Sequence, residues 1–175
     1  MLESELAHRY LLKIVERYKE HVNLNEQKSI PELKSLVSPD QPEAKRLAEK
    51  LGSVQAVFDF VSALDTVHVD VPVSFWLDLE DVVQLGAGDG LDKARLLCAV
   101  FLNLGKKAWV RVVRLKQGGQ HALVWLDESP VRVFDCVHGK TWSADSVERA
   151  LEKYPGDHEI QKSLYEFNAD AYREL

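Results

Sequence analysis

The fold of this chain is decided by residues 88–136, which read GDGLDKARLLCAVFLNLGKKAWVRVVRLKQGGQHALVWLDESPVRVFDC. Asp89 and Gly90 can open a helix, and the apolar residues that follow recur at three- and four-residue intervals until Gly105. That spacing predicts a helix with a buried side, and the glycine predicts its end. Three strand-like runs joined by short turns come next: residues 108–115, 121–127 and 131–136. A central helix followed by an antiparallel meander is therefore predicted.

The register of the second hairpin follows from its turn. If the hairpin is centred on Glu128, three pairs face each other on one side of the sheet: His121 and Asp135, Leu123 and Val133, Trp125 and Val131. We expect this apolar side to pack on the helix that begins at Gly90. Burial and the pairing of His121 with Asp135 then require the same register.

The segments on either side of this stretch have mostly helical patterns. Amphipathic spacing predicts helices over residues 2–22, 43–51, 54–64 and 79–85, and Pro31 suits the first turn of a short helix that ends near Val37. Alternating valines at 67, 69 and 71 predict a strand. After the meander, we expect a helix over residues 144–154 and a C-terminal helix that runs toward Tyr165.

The domain organisation predicted from these patterns is a single domain over residues 1–175. It divides into an N-terminal helical extension (1–42), a core (43–140) and C-terminal helices (141–175). The chain contains no internal repeat and no linker long enough to separate two domains.

Composition narrows the class of protein. The chain has 175 residues, of which 46% are hydrophobic and 29% charged, as in an ordinary globular domain. A formal net charge of -6 gives no electrostatic reason to expect a nucleic-acid partner. Without a secretory signal or a run of about 20 apolar residues, we expect a cytoplasmic protein with no membrane partner. Cys98 and Cys136 lack a CxxC spacing, so we expect no disulfide, no metal site and no cofactor.

Three short motifs stand in order along the chain: Gly88-Asp89-Gly90-Leu91-Asp92-Lys93-Ala94, His121-Ala122-Leu123-Val124-Trp125 and Val133-Phe134-Asp135. This order resembles the transglutaminase-like superfamily, whose core is of the papain type. In that family a Gly-x-Cys-x-Asp turn places a thiol at a helix start, a His-Ala pair begins a strand, and an aspartate ends the next strand. The resemblance covers roughly residues 43–140. It implies an α+β fold with a central helix on an antiparallel sheet, and it puts Gly90 at the nucleophile position.

The family's chemistry needs all three groups. A helix N-terminus and an imidazolium stabilise the thiolate, while the aspartate orients the imidazole. Because glycine has no side chain that can attack a carbonyl, we expect a pseudoenzyme with a remnant His121–Asp135 dyad that binds a peptide or protein.

Positions before and at the helix start supply the candidate binding residues. The resemblance suggests Trp76 and Gln84 for this role, and Asp89 at the helix start is a third candidate. Taken on their own, Trp76 is typical of a core residue and Gln84 of a solvated one. Asp89, Asp92 and Lys93 are typical of turn and solvent groups.

Two other functions stay open at this point. The chain is a cysteine protease, amidase or acyltransferase under one of three conditions. Either Cys136 acts as the nucleophile, or water activated by His121 makes the attack, or Gly90 replaces a natural cysteine. Alternatively, the terminal helices form a structural oligomer contact, with four aromatic residues as the candidate surface: Tyr10, Tyr18, Tyr165 and Phe167.

Overall fold

The computed structural model describes residues 3–18, 37–68 and 76–175. Within these ranges lie six helices: α1 (Glu3–Tyr18), α2 (Pro42–Leu51), α3 (Val54–Ala63), α4 (Leu79–Leu85), α5 (Gly90–Asn103) and α6 (Val147–Glu152). The predicted helices before residue 106 are confirmed where they fall in the described ranges. The short helix predicted from Pro31 and the strand residues Val69 and Val71 lie outside them. No helix in these ranges is long and apolar enough to cross a membrane.

The strands form one short pair and one large sheet. The pair is β1 (Asp65–Thr66) and β2 (Ala87–Gly88), which run parallel. The large sheet has the order β6-β5-β4-β3-β7-β8, and every neighbouring pair in it is antiparallel. Its strands are β3 (Ala108–Leu115), β4 (Gln120–Leu126), β5 (Val131–Asp135), β6 (Lys140–Ala144), β7 (Ile160–Phe167) and β8 (Tyr172–Glu174). The predicted α+β architecture and the meander are confirmed.

Helix α5 is the centre of the fold, as predicted. Asp89 caps its first turn, and Gly105 follows its last turn with φ 72°, a backbone conformation that glycine adopts without strain. Ten consecutive positions, 92–101, are buried. One side of the helix packs on β3 and β4, and α2, α3 and α4 cover the rest. Burial on all sides explains why this helix carries so few exposed charges.

The sheet is covered on both faces. Ala122, Val124 and Leu126 of β4 belong to the main core together with α5. Their neighbours Leu123 and Trp125 point the other way, into a second cluster that includes Val147 and Ala150 of α6. The prediction that the Leu123 face packs on α5 is therefore wrong, because a second apolar layer exists on the far side of the sheet.

The hairpin register also differs from the prediction. Trp125 pairs with Val133 and Leu126 with Arg132, which is a shift of two residues. Extending this register puts Asp135 opposite Leu123, diagonal to His121. A two-residue shift leaves every side chain on its own face, so the apolar pattern fits both registers equally well.

The C-terminal helix predicted toward Tyr165 is wrong. Residues 160–167 form β7, which pairs with β3 on the side away from β4, and β8 extends the sheet. Pairing with a strand that is distant in sequence overrides the local helical pattern here. The β-branched and aromatic residues Ile160, Tyr165 and Phe167 favour a strand as well.

Helix α1 is built into the core. Leu6, Tyr10 and Ile14 are buried in the main cluster. Tyr10 and Phe167 are 2% and 0% exposed, so the prediction that they belong to an oligomer surface is wrong. Tyr165 packs partly buried against the same core, and the side chain of Tyr18 is outside the described part.

Candidate functional site

Gly90 is the first residue of α5, where the family resemblance predicts the thiol. It is half-buried, and its φ is outside the left-handed region, so other residues fit its backbone. A Cβ atom added there would lie 3.3 Å from Cγ2 of Val137. Val137 follows Asp135 by two residues, so the start of α5 lies beside the end of β5. The structure therefore places Gly90 close to the end of the strand that carries Asp135.

His121 and Asp135 are in contact. His121 is the second residue of β4, and its Nε2 lies 2.9 Å from Oδ2 of Asp135, the last residue of β5. Asp135 is 0% exposed. Because a carboxylate only accepts, Nε2 of His121 carries the proton in this pair. The remaining ring nitrogen, Nδ1, is then available as an acceptor when the imidazole is neutral.

Two further side chains share the same carboxylate oxygen. Nδ1 of His138 lies 2.7 Å from Oδ2 of Asp135, and the Tyr154 hydroxyl donates to it at 2.7 Å. The other oxygen, Oδ1, accepts the backbone N–H groups of Val137 and His138 at 3.0 and 3.1 Å. Asp135 thus anchors a cluster of four side chains at one end of the sheet.

The cluster controls ionisation at its centre. Burial raises the pKa of Asp135, but the hydrogen bonds from His121, Tyr154 and His138 outweigh burial and hold that pKa below its usual range. The pKa of Tyr154 is shifted in the opposite direction, because burial and its hydrogen bond to Asp135 raise it. At neutral pH the site contains an ionised carboxylate and a protonated phenol.

The polar residues after Gly90 are structural rather than solvated, so the prediction of turn and solvent groups is wrong for Asp92 and Lys93, both 0% exposed. The Asp92 carboxylate accepts from the Tyr10 hydroxyl at 2.8 Å, the Arg95 guanidinium at 2.8 Å and the Leu77 N–H at 3.1 Å. These partners lie on separate segments, so Asp92 ties α1 and the chain before α4 to the first turn of α5.

Lys93 has a different environment. Its ammonium donates to two carbonyls, those of Ser62 and Leu64 at 3.3 and 2.9 Å, and to the Thr66 hydroxyl at 3.1 Å. Burial lowers the pKa of this lysine. It therefore fastens the end of α3 and β1 to α5.

Asp89 is half-buried and engaged in a capping box. Its Oδ1 accepts the Asp92 N–H at 2.7 Å, while Oδ2 of Asp92 accepts the Asp89 N–H at 3.4 Å. Burial, and then the charge of Asp92, raise the pKa of Asp89 to about 6. The capping box therefore engages the backbone N–H groups of Asp89 and Asp92, which could otherwise donate to the carboxylate of a ligand.

Trp76 and Gln84 differ in their surroundings. Trp76 is buried. Gln84 is exposed, and its amide donates to Glu80 at 2.8 Å within α4. It also borders a shallow groove with Arg9 and Lys13 of α1. A binding role for Trp76 and Gln84 stays a prediction.

Neither cysteine is placed to replace the missing thiol. Cys136 is fully buried in the main core, on the α5 side of the sheet, and burial raises its pKa to about 12. Cys98 is also buried, which raises its pKa. A thiolate is disfavoured at both positions.

Sequence reasoning missed two members of the cluster, His138 and Tyr154. The only local signal for His138 is its spacing of three residues from Asp135, which suits a turn that folds back on the carboxylate. Tyr154 follows α6, and no local pattern links it to Asp135. The ligand atoms of His121, Asp135 and His138 all lie within 4.8 Å of one another, which is close enough for a shared metal ion.

Comparisons with known proteins agree with this fold. Legionella pneumophila LapG superposes with a TM-score of 0.58 at 16% identity, covering 85% of this chain and 88% of that one. Its calcium-bound form gives 0.56 at 15% identity, covering 99% and 86%. These likenesses show the transglutaminase-like, papain-type fold that the sequence predicted. No curated protein matches the chain in sequence.

The family described as the CEP76 peptidase-like domain matches residues 74–162. This match spans just over half of the 175-residue chain and contains the start of α5, the whole meander and Tyr154. The chain therefore belongs to the CEP76 peptidase-like domain family.

Proposed function

We propose that this domain is a catalytically silent transglutaminase-like domain that binds a peptide or protein segment beside the start of α5. The observation that carries the proposal is that Gly90, at the start of α5, lies beside Val137 just after the end of β5, while His121 and Asp135 are in contact with each other. The base and its orienting carboxylate remain, while the group that would attack a carbonyl is absent.

Neither cysteine of the chain is placed to supply the nucleophile. Cys136 adjoins Asp135 in sequence, but it is buried on the opposite face of the sheet and its raised pKa disfavours the thiolate. The thiol-enzyme alternative is therefore weaker than binding without chemistry.

The charge at the helix start favours some ligands over others. The half-buried Asp89 and the ionised cluster around Asp135 make a carboxylate ligand unfavourable. A backbone carbonyl or a basic side chain fits better, because neither repels these groups. We expect neutral or basic extended segments to bind more tightly than acidic ones.

The first experiment restores the nucleophile. Gly90→Cys is compared with Gly90→Cys/His121→Ala and with the unaltered protein, and alkylation rates are followed against pH. The new thiol should react with a pKa below its ordinary value of about 8.5, and only in the presence of His121. The unaltered protein should neither react at Cys136 nor cleave a mixed peptide substrate.

The second experiment measures binding. Isotope-labelled protein is titrated with pools of synthetic extended peptides that are basic, neutral or acidic, and amide shifts are mapped. Shifts at Gly90, Leu91 and Val137 with the basic or neutral pools are expected, and Gly90→Leu should suppress them. Gln55→Ala, at an exposed position on α3, is the matched control. Cleavage by the unaltered protein, or shifts confined to other surfaces, would reject the proposal.

A further inference from the structure

We propose that His121, His138 and Asp135 form a binding site for a divalent transition-metal ion, with Zn²⁺ as its default occupant. This goes beyond peptide binding at Gly90 and differs from the sequence-based expectation that the chain holds no metal. The two proposals share His121 and Asp135, but the metal site needs neither the helix start nor a nucleophile.

The geometry needs little adjustment to accept an ion. Zinc–ligand bonds of about 2.0–2.1 Å place tetrahedral ligand atoms about 3.3–3.4 Å apart. The two imidazole nitrogens now lie 2.9 and 2.7 Å from Oδ2 of Asp135. An ion entering between them would replace the ring protons and open these separations by about 0.4–0.7 Å. Rotation of the side chains is enough for such a movement.

The surroundings already hold the ligands in place. Backbone N–H groups of Val137 and His138 fix Oδ1 of Asp135, and the Tyr154 hydroxyl donates to Oδ2 at 2.7 Å. The same hydroxyl is 3.4 Å from both imidazole nitrogens. Since this hydroxyl donates to the carboxylate, Tyr154 positions Asp135 as an outer contact of the ion.

The site is sheltered but reachable. The Asp135 side chain is 0% exposed and that of His121 9%, whereas that of His138 is 36% exposed. An ion can therefore arrive from solvent on the His138 side and meet an ionised carboxylate. This arrangement satisfies the requirements for ligand identity, fixed outer contacts and a route from solvent.

The ligand set selects the class of metal. Two imidazoles and one carboxylate suit zinc, cobalt, nickel or copper, while calcium and magnesium prefer oxygen ligands. The buried ammonium of Lys93 interacts electrostatically with Asp135 and offsets part of its charge. We therefore expect a site of moderate affinity that discriminates strongly against calcium.

The test uses the full chain after treatment with a chelator and dialysis. Zn²⁺ is titrated in competition with a chromophoric indicator, and Co²⁺ and Ca²⁺ are titrated separately. We expect one Zn²⁺ per chain, a visible Co²⁺ absorption typical of tetrahedral coordination, and no competition from Ca²⁺. His138→Ala should lower Zn²⁺ affinity by at least about 10-fold.

His8→Ala is the matched control, because His8 is an exposed histidine on α1. Tyr154→Phe is a second variant that keeps the ligands and should weaken Zn²⁺ less than His138→Ala does. Circular dichroism checks that each variant is folded. Equal Zn²⁺ affinity in the unaltered protein and His138→Ala would overturn the proposal. So would a Co²⁺–thiolate band, which would assign the ion to a cysteine, or the absence of one-to-one binding.

Discussion

Removing one hydroxyl should measure how firmly α1 is joined to the helix that begins at Gly90. In Tyr10→Phe, Oδ2 of Asp92 loses its 2.8 Å bond and, among the residues that the structure describes, keeps the 3.4 Å contact with the Asp89 N–H. A hydrogen bond to a charged group contributes about 1.5–3 kcal/mol, and full burial of Asp92 denies it a replacement water. For a chain of this size, that loss corresponds to a Tm decrease of about 3–12 °C.

Urea unfolding followed by tryptophan fluorescence gives the free energy directly. Tyr172→Phe is the matched control, since that tyrosine is half-buried and stacked on Tyr165, and it should change stability by less than about 0.5 kcal/mol. In an Asp92→Asn background, where the bond is no longer charge-assisted, Tyr10→Phe should cost only about 0.5–1.5 kcal/mol. An equal cost in both backgrounds, or no loss at all, would show that the bond to Asp92 does not hold α1.

Three further changes test the charged groups. Burial and the charge of Asp92 raise the pKa of Asp89, so the folded state holds this proton more tightly than the unfolded state does. The free energy of unfolding should therefore fall as the pH rises from about 4 to 6. In Asp89→Asn, which keeps the cap, the urea midpoint should change less with pH over that range. Because the pKa of Asp135 is lowered in the folded state, its ionised carboxylate stabilises the fold at pH values above the unfolded pKa of about 3.9. That stabilisation is lost as the pH falls below this value, so the Tm of Asp135→Asn should drop less steeply in acid than that of the unaltered protein. Glu166→Gln removes the buried carboxylate that bonds Arg111 at 2.9 and 2.7 Å and leaves this buried guanidinium with the exposed Glu148 at 3.4 Å. The change should cost about 3 kcal/mol in urea unfolding, the low end of what breaking a buried ion pair costs, and a cost below about 1 kcal/mol would contradict this.

The central helix could be predicted because its signals are local. Asp89 caps it and Gly105 follows its end, and the spacing of apolar residues between them has the helical period. The strands of the meander were found for the same reason, since turn residues separate continuous apolar runs. Their ends agree with the structure to within one residue.

The face and register of the second hairpin could not be predicted from the same information. Both faces of the sheet are buried, so the runs around Trp109 and Trp125 are apolar on both sides. Alternation then fails to show which face meets α5, and it does not separate registers that differ by two residues. His121 and Asp135 still come into contact, because the diagonal distance is within reach of their side chains.

The remaining errors concern partners that are distant in sequence. Asp92 and Lys93 have the composition of a solvated turn, but Tyr10, Leu77 and Ser62 supply buried partners from elsewhere in the chain. Tyr154 joins the Asp135 cluster in the same way. Local patterns cannot report such contacts, because the chain must fold before they exist.

The position of β7 has a consequence for the way this chain is synthesised and folded. β3 lies inside the sheet, yet one of its two edges is completed only by β7, near the end of the sequence. Until β7 has been synthesised, β3 exposes an unpaired edge that another chain can join. Folding must then wait for a contact of long sequence separation, which is slow to form. Truncation before Ile160 should therefore favour aggregation during expression, even though the truncated chain would keep α5 and all four side chains of the Asp135 cluster.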